Sequence, residues 1–94
     1  MKDTIKAVAN AYRASVRDAF DADVVRQIDR QNAARPRGAL YVHEHDYTDA
    51  NMLMLDAYER VTGRTIDDGD EWLRVMNRAW RLALRRPYAD TTEV

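Results

Sequence analysis

The chain of 94 residues has no cysteine, only three glycines and two prolines, and no apolar run longer than four residues. Without cysteine there is neither a disulfide framework nor a thiolate zinc site. Runs as short as Met52 to Leu55 exclude a membrane-spanning segment. The Met1-Lys2-Asp3-Thr4 start lacks the apolar stretch of a signal peptide, so a cytosolic protein is expected. An excess of either charge is missing too: 15 basic and 16 acidic residues leave a net charge of −1. That balance provides no global attraction to nucleic acid or anionic membrane, and it argues against a wholly acidic DNA mimic. What remains is 46% hydrophobic and 33% charged, a globular profile for one modest core.

Scarce glycine and proline, and no alternation of β-branched with polar residues, predict an all-α fold. The periodicity gives a small three- to four-helix bundle with short loops. Residues 1–87 are expected to form a single helical domain, and residues 88–94 a flexible C-terminal tail. Ile5, Val8, Tyr12, Val16, Ala19 and Phe20 recur at three- and four-residue steps and mark the first apolar stripe. Val24, Val25 and Ile28 continue it. A series of four-residue steps rotates by about 40° each time, so the stripe must wrap or break. The spacing favours one helix bent near Asp21 to Asp23, where either Asp can cap a new segment; an unbroken helix to about Ala34 is the alternative. Arg35-Pro36-Arg37-Gly38 reads as a turn and Ala39 to Val42 as a short extended piece. Ala50, Leu53, Met54, Ala57, Tyr58 and Val61 make the next buried face, with Thr48 as cap and Gly63 as stop. The last helix opens at Asp67 or Asp68, packs Trp72, Val75, Met76, Ala79, Trp80 and Ala83, and closes at Pro87.

His43, Glu44, His45 and Asp46 contain the residue types of a metal site. Histidines two apart share a side only on a strand, however, and lie about 200° apart on a helix. The zinc-protease pattern needs them one helical turn apart, and the chain has no third histidine. The stretch is therefore read as a helix entrance: Asp46 or Thr48 accepts from the first free N–H groups, and Tyr47 staples the first turn. Ser15 is the only serine and has no glycine elbow, and no glycine-rich phosphate loop is present. No enzyme activity and no cofactor are expected; metal binding at His43 and His45 is a minor alternative.

His45-Asp46-Tyr47-Thr48-Asp49-Ala50-Asn51-Met52 resembles a motif of small phage- and prophage-encoded helical proteins. In these an H-D-(Y/F)-x-D-A-N-M segment opens an amphipathic helix that ends in glycine. The resemblance extends from His45 to Leu84, takes in a tryptophan-bearing helix, and leaves the first helix unplaced. It implies a setting among accessory genes of mobile elements, where inhibitors of bacterial defence, anti-CRISPR proteins included, are common. It transfers no activity.

Two surfaces qualify as binding sites. From Trp72 to Arg86 there are five arginines and no acid, and Arg74, Arg78, Arg81 and Arg85 step by four, three and four onto one face. Arginine offers a planar fork to carboxylate or phosphate. The plain alternative is a solvated face whose guanidinium groups pair with acids of another helix. Trp72 and Trp80 lie about 80° apart on a helix, so one is expected in the core and the other, Trp80, half-exposed as an interface anchor. The acids Asp46, Asp49, Asp67 and Asp68 gather at two helix starts, where capping suffices to explain them, although they could also imitate phosphates. Met52 and Leu55 lie off the buried face and offer a dimer surface. The expected function is a non-enzymatic protein-binding module acting by steric occlusion in the cytoplasm of a bacterial host. Its expected target is a CRISPR–Cas or other defence-complex subunit. Nucleic acid on the arginine face is the main alternative partner; no membrane is expected.

Overall fold

The computed structural model describes residues 2–34 and 47–94, the side chains of Lys2 and of residues 47–50 excepted. Four helices follow in order: α1 (Lys2–Ala19), α2 (Ala22–Ala34), α3 (Tyr47–Thr62) and α4 (Gly69–Ala83). The architecture is the expected all-α bundle, with no strand among the described residues. The turn at 35–38, the extended piece at 39–42 and the histidine cluster lie outside the described residues.

α1 is the hub, because each of the substantial helix–helix interfaces in the described structure is made with it. Its apolar stripe explains why: Ile5, Val8, Ala9, Tyr12 and Val16 are all buried. Against it stand Val25 and Ile28 of α2, Met54, Ala57 and Tyr58 of α3, and Val75, Met76, Ala79 and Ala83 of α4. The long stripe resolves its four-residue drift by breaking. α1 stops at Ala19, and the Asp21 carbonyl accepts from the Val25 N–H at 3.0 Å, which puts Asp21 at the cap position of α2. The result is two helices and not one bent rod. The break at Asp21 lets α2 turn Val25 and Ile28 back onto the core.

α3 begins at Tyr47, so Thr48 falls inside its first turn and not before it. Gly63 ends it as expected, with φ +69° and its N–H donating to the Glu59 carbonyl at 2.8 Å. Asp68 is the N-cap of α4, accepting from the Asp70 N–H at 2.9 Å. Pro87 follows four residues after the last helical position, Ala83.

Segment 88–94 differs from the loose tail expected of it. Tyr88 is 1% exposed, and its ring meets Tyr12 edge-on at 5.7 Å, with the two hydroxyls 3.1 Å apart. The Tyr88 and Ala89 N–H groups donate to the two carboxylate oxygens of Asp29, at 2.6 and 3.0 Å. The Val94 N–H donates to Asn10 Oδ1 at 2.9 Å. A buried aromatic and a set of backbone hydrogen bonds thus hold the segment against α1 and α2, whatever its polar composition suggests.

Candidate partner-binding face

α4 is strongly two-sided. Val75, Met76, Ala79 and Ala83 are buried, while Arg74, Arg78 and Arg81 are exposed on the opposite side. At 100° per residue the positions of Arg74, Arg78, Arg81 and Arg85 fall within an arc of about 60°, opposite Met76. Arg85 lies just past the Leu84 cap, where its N–H donates to the Leu82 carbonyl at 3.2 Å, and it too is exposed. Among the described residues none of these four forms an ion pair; the pairs present are Arg26–Asp23, Arg60–Asp56 and Arg64–Glu71. The solvated-face alternative expected their partners on another helix, and the described helices supply none. Leu73, 57% exposed, lies about 80° from Arg81 on the helix, outside the arginine arc.

Trp80 does not belong to this face. It projects about 100° away from Arg81, towards α1, and its ring meets Tyr12 edge-on at 6.5 Å. Trp80 and Trp72 are both half-exposed and packed against the core, so a half-exposed tryptophan is present as expected and neither is fully in the core. A half-exposed position on each side of the α4 core stripe accounts for both.

Of the acidic candidates, Asp67 and Asp68 have described side chains. Asp68 is engaged as a cap, and Asp67 beside it is exposed. Glu71 is held by the Tyr58 hydroxyl, which donates to its Oε1 at 3.2 Å, and lies 3.9 Å from Arg64. Asp49 belongs to the first turn of α3, its side chain outside the description, and Asp46, His43 and His45 are outside the described residues altogether. Among the described residues no group of three metal-ligating side chains occurs. Met52, 63% exposed, and the half-buried Leu55 lie off the core side of α3.

The structure also reveals residues that the sequence did not single out. Arg13, 1% exposed, donates from Nη1 to the carbonyls of Ala83 (2.8 Å) and Arg86 (2.7 Å). From Nη2 it donates to the carbonyls of Pro87 (2.8 Å) and Asp90. Arg17 donates to the Tyr88 carbonyl at 2.9 Å. Burial lowers the Arg13 pKa, and the like charge of Arg17 lowers it further, but an arginine remains a cation at any working pH. These bonds fix the backbone on both sides of Arg85 and so set the C-terminal end of the arginine face. A signal was present: Arg13 follows Ile5 and Ala9 at four-residue steps, a charge on the edge of the buried stripe.

An exposed row of arginines, held on a fixed helix, can bind carboxylates or phosphates by paired N–H donors. Comparison with protein-family models, with curated proteins and with solved structures finds no match to the chain.

Proposed function

We propose that the chain is a non-enzymatic protein-binding module that applies the arginine face of α4 to an acidic surface of its target. Target inhibition follows by steric occlusion, since a helical bundle seated there covers a surface the target needs. The observation that supports this reading is the run Arg74, Arg78, Arg81 and Arg85, exposed and without ion pairs among the described residues. Four guanidinium groups on one side repel each other when unpaired, and a protein partner with carboxylates relieves that repulsion. The finer assignment, a mobile-element inhibitor of a bacterial defence complex of the anti-CRISPR kind, rests on the resemblance of His45 to Met52.

Affinity capture from bacterial lysate, followed by mass spectrometry, tests the proposal. Wild-type protein retains one dominant host protein, and the Arg78→Glu/Arg81→Glu variant loses it while keeping its thermal stability. Equal retention by both proteins removes α4 from the interface. Nucleic acid is the competing reading of the same arginines. The exposed acids Asp67 and Asp70 at the start of α4, and the net charge of −1, oppose a long polyanion there. A gel shift of duplex DNA at low salt that disappears steeply as salt rises would favour nucleic acid instead.

A further inference from the structure

Resting on that reading, the arginine face ends in a cavity. Beyond Arg85 a space of about 160 Å³ opens between the end of α2 and residues 84–87, lined by Asp29, Asn32, Ala33, Leu84 and Pro87, with Arg85 and Arg86 beside them. We propose that this cavity seats a bulky apolar ring carried by the acidic protein segment that the arginines hold.

Three observations lead there. The first is size: a cavity of about 150 Å³ admits a benzene-sized group. The second is charge: Arg85 is exposed beside it without an ion pair among the described residues, whereas Arg86 acts on Asp90, so a ring flanked by a carboxylate fits where a ring alone would leave Arg85 unanswered. The third is rigidity. Arg13 holds the carbonyls of Ala83, Arg86 and Pro87, and both oxygens of Asp29 are occupied by the Tyr88 and Ala89 N–H groups. The Asp29 charge is thereby answered within the chain, and the wall is set before any partner arrives, which reduces the ordering cost of binding. Anchoring one aromatic side chain in such a pocket is the common way an interface concentrates its affinity. A phosphate backbone has no group that would use the apolar side of Leu84, Ala33 and Pro87.

The test uses two fluorescein-labelled acidic peptides, identical except that a central phenylalanine in one is alanine in the other. Fluorescence anisotropy at low salt reads their affinity for the full chain. The phenylalanine peptide is expected to bind about tenfold more tightly than the alanine peptide. Ala33→Trp, at an exposed position on the cavity wall, should abolish that advantage and leave the alanine peptide unaffected. Arg78→Glu/Arg81→Glu should weaken both peptides alike. Equal binding of the two peptides, or an advantage that survives Ala33→Trp, overturns the pocket while leaving the arginine face standing. No binding of either peptide, or tighter binding of a short DNA duplex, overturns the pocket and the arginine-face reading together.

Discussion

Arg13 illustrates how one residue can carry a fold feature that no pattern announces. A buried guanidinium is costly unless its donors are satisfied, and here the acceptors are carbonyls of a helix end and the following turn, those of Pro87 and Asp90 also accepting from the Asp90 N–H and from Arg17. Arg13→Leu fills similar space but removes a donor from each of those carbonyls, at a cost of about 3 kcal/mol. A fall in Tm of more than about 10 °C by circular dichroism is the expected outcome, with Arg13→Lys recovering only part of it. Tyr12 gives a prediction of a different kind. Burial raises its pKa above the ordinary 10.0, against the lowering effect of hydrogen bonds with Tyr88 and Trp80. A raised pKa in the folded state means that the unfolded chain loses the proton first, so stability holds below pH 10.0 and declines as pH rises beyond it. Urea denaturation across about pH 9 to 11 should show that decline in the wild type and a shallower one in Tyr12→Phe. Parallel curves would assign the alkaline instability to other groups.

The helices were legible in the sequence because periodicity and caps are local. Gly63 and Asp68 stop and start the helices they were expected to, through a positive φ and a side-chain bond to the Asp70 N–H. Gly63→Ala meets no neighbouring atom at its new Cβ, so its cost is purely that of the backbone, about 1 kcal/mol by urea denaturation. No measurable loss would mean that α3 can end by another route. The break at Asp21 was half legible: the drift of a four-residue series required an interruption, and only packing of Val25 and Ile28 decided its sharpness. Segment 88–94 was illegible for a physical reason. Its anchors are backbone carbonyls and N–H groups, which every residue has, met by Asn10, Arg13, Arg17 and Asp29 from far away in sequence. Only Tyr88 and Val94 carry side chains whose apolar character points to burial, and both pack on the core. Tyr88→Ala should cost about 3–5 kcal/mol and speed hydrogen exchange in α2, which shares Asp29 with the segment. Unchanged exchange in α2 would show that the segment is decoration.

For the molecule as a whole, near-neutral charge conceals an uneven distribution. Acids cap and flank the start of α4, arginines cover its exposed side, and the two do not cancel each other among the described residues. The arginine run was legible as a face because side-chain position on a helix follows from spacing alone. Whether those arginines had partners was not legible, since pairing depends on how helices α1 to α3 surround α4. Composition joins Trp80 to them, whereas its edge-on contact with Tyr12 turns it towards α1. The most direct measurement is the affinity of the captured partner for the wild type and for Arg78→Glu/Arg81→Glu, by isothermal titration calorimetry. The α4 face predicts a loss of about a hundredfold with Tm unchanged; equal affinities would contradict it.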